Sequence, residues 1–249
     1  RANMPSFTFR GKEIPVVIEH SDDLEDALSF IPFKQWLESL HADLVLHQVD
    51  FQSIDFIPLP NGKRRILFMK LKSKIYSKRA DKYVPGIVML RGGAVAVLVV
   101  IEDKNDGTLY SVLTRQARVP IGAVDFPEIP AGMLDGSGNF KSVACKELEE
   151  EMGLVITADK LIDMTEMMYG DAFPGMYPSV GLCDEFIRLY FTKHSLSHEK
   201  IMELQGQVHG EEGTHEHIWL EVVPLKDIVK LTSDAKTLSA VILMQQLKL

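Results

Sequence analysis

The chain has 249 residues, of which 46% are hydrophobic and 25% are charged, and its formal net charge is −8. That length fits one large domain, or two smaller ones, with a packed core. The negative charge excludes a general basic surface. The chain is therefore not expected to bind nucleic acid unaided, because such binding depends on clustered Lys and Arg side chains.

The compartment and the absence of a membrane partner are predicted from three features. Cys145 and Cys183 form no paired framework, which is typical of a reducing, intracellular compartment. The most apolar run, residues 94–101, is too short to span a bilayer, so no membrane partner is expected. The chain begins at Arg1 rather than Met, which fits a transit peptide removed in a mitochondrion or plastid, or a boundary chosen for expression.

The first 86 residues predict mainly strands. Residues 8–18 have the pattern of a strand broken at Gly11, and residues 44–56 and 64–76 have the pattern of a hairpin with a Pro- and Gly-containing turn. Lysines crowd residues 70–82, where a solvated strand face is favoured over a binding surface.

One amphipathic helix is predicted among these strands. Residues 21–23, Ser-Asp-Asp, are expected to cap a helix that reaches Leu40. An interruption of this helix is expected near Pro32, because proline removes a helical hydrogen bond.

From Gly86 onward, strand-like runs flank one central helix. That helix is predicted over residues 140–152, with Gly153 placed to end it. A final helix is predicted over residues 233–247. The strands are predicted at residues 87–90, 94–101, 109–115, 162–168, 186–192 and 218–223. This order predicts an α+β fold or an α/β/α sandwich.

The central helix carries clustered carboxylates. Glu147, Glu150 and Glu151 stand at positions i, i+3 and i+4, so their side chains share one helix face, and Glu149 adds a further charge nearby. Like charges at this spacing repel, and they lie in the last turn, where the helix dipole favours cations. Oxygen-rich clusters of this kind suit Mg2+. The helix alone leaves two readings open, a divalent-metal site and a solvated acidic face.

The residues before the helix favour the metal site. Residues 128–138 form a glycine-rich approach, Glu-Ile-Pro-Ala-Gly-Met-Leu-Asp-Gly-Ser-Gly. A set of spaced residues there and in the helix resembles the Nudix box: Gly132, Glu147, Leu148, Glu150, Glu151, Gly153 and Leu154. In that family the box forms a loop, a helix and a second loop, and its glutamates hold Mg2+ or Mn2+ against a diphosphate.

Two positions depart from the family pattern. Gly138 stands where the box normally has glutamate, and Lys146 replaces the usual arginine. Lysine cannot reproduce arginine's bidentate fork. These changes leave a weakened or specialised enzyme as an alternative.

Segments outside the box resemble the ADP-ribose and ADP-sugar pyrophosphatase branch of the family, and especially plant-type ADP-sugar pyrophosphatases. They include residues 33–37, 84–88, 91–98, 115–120, 128–134, 177–181, 183–185 and 234–236. The resemblance implies a smaller N-terminal β-rich domain over residues 1–86, which supports a homodimer and part of the pocket. A Nudix domain over residues 87–249 would follow.

The resemblance also implies a set of metal ligands. The backbone carbonyl of Ala131 would bind Mg2+ or Mn2+ together with Glu147 and Glu151. Glu150 would bind a further metal ion or orient that set.

Substrate contacts are implied at four positions. Arg115 and Arg118 would meet the phosphates, for which the arginine fork is suited, although two surface cations are the alternative. Glu128 would position substrate or metal, or else be satisfied by backbone amides of its own loop. Gly132 would belong to the same substrate-binding segment.

A general base is expected in the acidic stretch at residues 210–217. Glu216 is favoured by its position before a strand, and Glu212 is second. His209, His215 and His217 lie nearby, but their spacing is no recognised metal-binding pattern.

The implied activity is hydrolysis of a nucleoside diphosphate sugar, of the ADP-ribose or ADP-glucose type, to AMP and a sugar phosphate. Two alternatives stay open. One is action on RNA 5′-terminal phosphates within an organellar, mitochondrial mRNA-processing complex, where partners supply RNA affinity. The other is a catalytically weak protein that binds a nucleotide without cleaving it.

Overall fold

The computed structural model describes residues 4–59, 62–134, 138–210 and 217–249. The chain divides into two compact units. The first comprises Arg1–Gly92 and Ser179–Glu185, and the second comprises Gly93–Pro178 and Phe186–Leu249. The domain boundary placed between residues 86 and 87 stays a prediction.

The first unit is a mixed β-sheet with two short helices. Its strands lie in the order β1-β2-β3-β4-β5, with β6 also paired to β4, and β2 and β3 are parallel. The elements are β1 (Ser6–Phe9), β2 (Lys12–Ile18), α1 (Leu24–Ser29), α2 (Ile31–Ser39), β3 (Leu44–Pro58), β4 (Arg64–Ser77), β5 (Lys82–Val84) and β6 (Ile87–Leu90).

Aromatic packing joins α2 to this sheet. Phe33 of α2 is fully buried and meets Phe7 and Phe51 edge-on, at ring-centroid distances of 5.7 and 5.2 Å. Such T-shaped pairs add to the free energy gained by burying their apolar area. The predicted hairpin of β3 and β4 and the predicted break at Gly11 are confirmed.

The helix prediction for this unit needs one correction, which concerns its cap. The interruption expected near Pro32 falls at Phe30, and Pro32 itself lies in the first turn of α2, where its missing N–H breaks no hydrogen bond. Asp23 makes no side-chain cap bond. Its carboxylate instead lies 2.5 Å from the Arg64 guanidinium, a partner that is distant in sequence.

The lysine-rich run confirms the prediction of a solvated strand face. Along β4, Lys72 and Lys74 are exposed, while Leu71, Ser73 and Ile75, which alternate with them, are buried. This period of two is that of a strand with one face on a core.

The second unit is built on one mixed sheet. Its strands lie in the order β11-β12-β7-β8-β14-β13, with β10 also paired to β7 and β9 to β8. The strands are β7 (Ala94–Asp103), β8 (Leu109–Arg118), β9 (Ala123–Glu128), β10 (Ala131–Met133), β11 (Ile162–Asp163), β12 (Ile187–Leu196), β13 (Val208–His209) and β14 (Ile218–Pro224). The helices are α3 (Phe140–Met152), α4 (Met164–Tyr169), α5 (His198–Glu203), α6 (Ile228–Leu231) and α7 (Ala235–Leu247).

Helices cover both faces of this sheet. Alternate residues of β7 belong to two separate cores: Ala96 and Leu98 pack in the core that includes α7, and Val95 and Val97 in the core that includes α3. A strand buried on both faces has a continuous apolar sequence. The predicted α+β class and the α/β/α sandwich are therefore confirmed.

The strand predicted over residues 162–168 is wrong beyond its first two residues. Asp163 accepts a hydrogen bond of 2.9 Å from the Glu166 N–H and so caps α4. Met164 and Met168 then pack in the core at helical i, i+4 spacing, while Met167 is exposed. A short apolar run fits either element, and here the cap decides for a helix.

None of the helices within the described ranges is long and apolar enough to cross a membrane.

Candidate active site

Helix α3 spans residues 140–152 as predicted, because both of its ends carry local signals. At the start, Asn139 accepts a hydrogen bond of 3.1 Å from the Ser142 N–H. At the end, Gly153 adopts a left-handed conformation with φ 64°, and its N–H donates to the Glu149 carbonyl at 2.9 Å. Buried Leu148 and Met152 fix the helix on the sheet, which sets the direction of its glutamates.

The segment before α3 is more ordered than the predicted loop. It contains strands β9 and β10, and β10 pairs antiparallel to β7, with Ala131 opposite Ala96 and Gly132 opposite Val95. Pro127 and Pro130 obscure this pattern in the sequence, because proline is rare within sheets. The pairing holds Ala131 and Gly132 against the C-terminal half of α3.

Two of the predicted glutamates meet at this strand. Glu151 is buried, and its carboxylate accepts a hydrogen bond of 3.1 Å from the Ala131 N–H. The Glu147 carboxylate lies directly over the Gly132 Cα, since a Cβ added there would come within 1.8 Å of Glu147 Cδ. Gly132 is therefore required for space rather than for backbone freedom.

The Glu151 carboxylate carries a raised pKa beside Glu147. Burial, followed by the repulsion of Glu147, raises the pKa of Glu151 to about 8, against an ordinary value near 4.5. The Ala131 N–H and the Arg118 guanidinium lower that pKa but do not offset the rise. Two adjacent carboxylates suit a hard divalent cation, which is commonly held by one or two carboxylates and substrate phosphates.

Glu150 points elsewhere. Its carboxylate lies 3.1 Å from the Lys146 ammonium, one helical turn earlier. Within the described residues, no cluster of three or more His, Cys, Asp or Glu side chains is arranged to hold a metal. The fit to a metal ion therefore rests on Glu147, Glu151 and the Ala131 backbone, and the ligand role of Glu150 stays a prediction.

We expect Lys146→Met to leave the protein active. The Lys146–Glu150 pair is an i, i+4 pair with a mostly exposed lysine, and such pairs contribute about 0.3–0.5 kcal/mol. Urea unfolding should show a change of about that size, and kcat/KM should fall by less than about fivefold. A loss of more than about a hundredfold would show that Lys146 itself is needed for turnover.

Glu128 lies near Glu151, in a chain of charges that runs from half-exposed Arg118 to buried Lys236. Its Oε1 accepts from Arg118 Nε at 2.7 Å and Nη2 at 2.5 Å, and its Oε2 contacts the ammonium of Lys236. Lys236 is itself buried and lies 3.1 Å from Asp234. The described partners of the Glu128 carboxylate are therefore side chains of other elements, Arg118 and Lys236.

Lys236 is a residue of this site that the sequence analysis missed. A lysine in the first turn of a helix normally predicts a solvated side chain. The sequence offered one sign that Lys236 belongs to the site: it follows Asp234, the cap of α7, within a segment that resembles the pyrophosphatase branch.

Arg115 lies among other partners. Its Nε is 2.8 Å from Asp125 and its Nη1 is 2.5 Å from Glu221, and these carboxylates raise its pKa. The structure thus brings Arg118, but not Arg115, to the charge chain at Glu128. The phosphate contact of Arg115 stays a prediction.

Glu212, Glu216 and His215 lie outside the described residues. The chain leading to them is tied to the end of α3: the Gly210 N–H donates to the Glu150 carbonyl at 3.3 Å, and the His209 ring lies against Gly153. His209 Nε2 is 3.0 Å from the Gln207 amide oxygen. His217 packs edge-on against Trp219.

Comparisons with known proteins find one family model and several relatives. A family model described as the NUDIX domain matches residues 92–243. The chain is 36% identical over 230 residues to Nudix hydrolase 14, chloroplastic, of Arabidopsis thaliana, covering 89% of this chain and 72% of that protein. It is 30% identical over 187 residues to the ADP-ribose pyrophosphatase of Bacillus subtilis, covering 68% of this chain and 88% of the relative.

A solved structure gives the same fold. The crystal structure of ADP compounds hydrolase superposes with a TM-score of 0.50, covering 82% of this chain and 95% of the other, at 15% sequence identity. At that identity the likeness concerns the fold alone.

Proposed function

Because the chain belongs to the Nudix hydrolase family, we propose that it cleaves the diphosphate of a nucleoside diphosphate sugar, of the ADP-ribose or ADP-glucose type. The products are AMP and a sugar phosphate, and the reaction depends on Mg2+ or Mn2+. The observation that carries the proposal is the Glu147–Glu151 pair of carboxylates, held together against Ala131 and Gly132, where burial and the nearby Glu147 raise the pKa of Glu151. The likeness to the ADP-ribose pyrophosphatases of Bacillus subtilis and Saccharomyces cerevisiae supports the substrate class.

The chain's own residues have separable tasks in this reaction. Glu147, Glu151 and the Ala131 carbonyl would hold the divalent ion, which neutralises the diphosphate and lowers the pKa of a bound water. Arg118, oriented by Glu128, would bind a phosphate oxygen through its guanidinium. Gly132 leaves the space in which the Glu147 carboxylate lies.

The bond changes are those of a hydrolysis. An oxygen of water forms a bond to one phosphorus, and the bond from that phosphorus to the bridging oxygen breaks. The bridging oxygen leaves with the other phosphate. Glu216, or else Glu212, would take the proton from the attacking water, and both stay proposals on residues outside the described ranges.

One incubation tests the proposal against its alternatives. The protein with Mg2+ is given ADP-ribose, ADP-glucose and 5′-triphosphorylated RNA in parallel, and AMP, sugar phosphate and released pyrophosphate are separated by chromatography. We expect AMP and a sugar phosphate from at least one ADP-sugar. Turnover of the RNA alone would contradict the proposal in favour of RNA 5′-end processing. Nucleotide binding without turnover of any substrate would contradict it in favour of a binding protein.

The proposal also covers the oligomeric state and the cellular compartment. A homodimer and a reducing, organellar compartment are proposed, the second supported by the chloroplastic relative. Light scattering of the purified chain would test the dimer.

A further inference from the structure

Three consecutive residues before β10 are each held by a side chain from the first turn of α7 or from the short segment that precedes it. The Thr232 hydroxyl donates to the Pro127 carbonyl at 2.5 Å. The Lys236 ammonium contacts the Glu128 carboxylate. The Ile129 N–H donates to the Thr237 hydroxyl at 3.0 Å. We call Thr232, Asp234, Lys236 and Thr237 the α7 clamp.

Asp234 fixes the geometry of the α7 clamp. Its Oδ2 accepts hydrogen bonds from the Thr237 N–H at 3.0 Å and from the Thr237 hydroxyl at 2.6 Å, and its Oδ1 lies 3.1 Å from the Lys236 ammonium. Because the Thr237 hydroxyl donates its only hydrogen to Asp234, it presents a lone pair to the Ile129 N–H. Thr237 is fully buried, so no solvent competes for these bonds.

Residues 127–129, which the α7 clamp holds, lead directly to Ala131, whose carbonyl is the proposed metal ligand. After Ile129, the Pro130 carbonyl accepts a hydrogen bond of 3.0 Å from the Val97 N–H, and the Ala131 N–H donates to Glu151. The direction of the Ala131 carbonyl therefore follows from contacts on both sides: the sheet and α3 on one, and α7 on the other.

The same clamp reaches Arg118 through Glu128. One carboxylate oxygen of Glu128 accepts a hydrogen bond from the Arg118 guanidinium, and the other contacts the Lys236 ammonium. A carboxylate held at both oxygens keeps one orientation, and so does the arginine that it binds.

Stability alone is a poor reason for these buried charges. Removing Lys and Glu side chains from water is costly, and replacing a buried ion pair by apolar residues of similar size is often neutral or stabilising. Polar groups kept in such a place point to a task in the site that they adjoin.

We propose that the α7 clamp is a positioning device for both halves of the reaction site. Thr237 sets the backbone that carries the Ala131 carbonyl toward the metal ion, and Lys236 sets Glu128 and, through it, Arg118 toward the phosphate. Neither residue touches substrate, so both are positioning residues. The inference rests on the proposed function, which assigns metal binding to the Ala131 carbonyl and phosphate binding to Arg118.

Thr237→Val tests the first half, with Thr237→Ser and Thr165→Val as matched variants. Thr165 is also a fully buried threonine whose hydroxyl accepts from a strand N–H, that of Leu189 at 2.9 Å, but it lies on α4. The readouts are the Mg2+ concentration that gives half-maximal activity and, without substrate, the shift in melting temperature on adding Mg2+.

Thr237→Val is expected to raise the half-activating Mg2+ concentration by about tenfold and to shrink the melting shift, since losing a partner that orients a metal ligand typically costs 10–100-fold in metal affinity. Thr237→Ser, which keeps the hydroxyl, should restore both, and Thr165→Val should change neither. An unchanged Mg2+ dependence in Thr237→Val, or an equal change in Thr165→Val, would overturn the proposal. If the wild-type protein hydrolyses no ADP-sugar, the proposed function fails, and the substrate-free melting shift still decides the role of Thr237.

Lys236→Met, combined with Glu128→Gln, tests the second half. If Lys236 acts through Glu128, each single variant should raise KM for the nucleotide about tenfold, and the double variant should be no worse than Glu128→Gln alone. The half-activating Mg2+ concentration should stay near the wild-type value in Lys236→Met. Additive effects in the double variant would contradict a role through Glu128.

Discussion

Glu151→Gln is expected to abolish Mg2+-dependent hydrolysis while making the metal-free protein more stable. Glutamine keeps the shape of the side chain and can still accept from the Ala131 N–H, but it removes the charge that a divalent ion requires. The loss of a ligand that stabilises transition-state charge is worth several kcal/mol, or about 1000-fold in kcat/KM.

The gain in stability follows from the raised pKa of Glu151. In the unfolded chain this carboxyl titrates near 4.5, and in the folded, metal-free protein burial and Glu147 raise its pKa to about 8. The folded state then binds the proton more tightly, so the wild-type protein loses stability as the pH rises from 4.5 through 8. Glutamine removes this loss, and at pH 8 the variant should unfold at a temperature higher by roughly 5 °C, equivalent to about 2 kcal/mol.

Glu149→Gln is the matched control, because it removes one negative charge from an exposed position of the same helix. Calorimetry in the presence of a chelator, at pH 5 and pH 8, gives the comparison. Equal melting temperatures of Glu151→Gln and wild type at pH 8, or activity within tenfold of wild type, would show that Glu151 is not the strained metal-site carboxylate.

Gly132→Ala is expected to remove most of the activity with little effect on folding. The added Cβ would lie 1.8 Å from Glu147 Cδ and Oε1, which no structure tolerates. These atoms are the end of a flexible side chain, so the carboxylate can swing away at a cost of about 1 kcal/mol or less. In doing so it leaves the position beside Glu151, and kcat/KM should fall about 100-fold.

Gly181→Ala provides the comparison for Gly132→Ala, because a Cβ at Gly181 meets nothing within 4 Å. That variant should keep both activity and melting temperature. Wild-type kcat/KM in Gly132→Ala would mean that the position of the Glu147 carboxylate in the structure is not the one used in catalysis.

The parts of the fold that the sequence predicted are those encoded by neighbouring residues. Helix α3 begins and ends as expected because Asn139 and Gly153 supply its caps locally. Strand β7 was predicted because a strand buried on both faces is apolar throughout. By contrast, β9 and β10 depend on pairing with β8 and β7, and prolines hide that pairing in the sequence.

The site was predicted in its residues but not in its contacts. The spacing of Glu147 and Glu151 places them on one helix face. The ion pair between Glu150 and Lys146, by contrast, depends on side-chain rotamers, which the sequence does not specify. The resemblance marked Gly132 without a reason, and the structure supplies one in the space taken by Glu147. Lys236 was missed because it is 108 residues from Glu128 in sequence, and only the packing of α7 brings them together.

Direct measurement of Mn2+ binding, by electron paramagnetic resonance in the absence of substrate, tests the central claim that Glu147 and Glu151 together hold the divalent ion. We predict that wild-type protein and Glu149→Gln bind Mn2+ with similar affinity. The double variant Glu147→Gln/Glu151→Gln should fold but bind no Mn2+, so that the full signal of the free ion remains. Undiminished Mn2+ binding in that double variant would contradict the account.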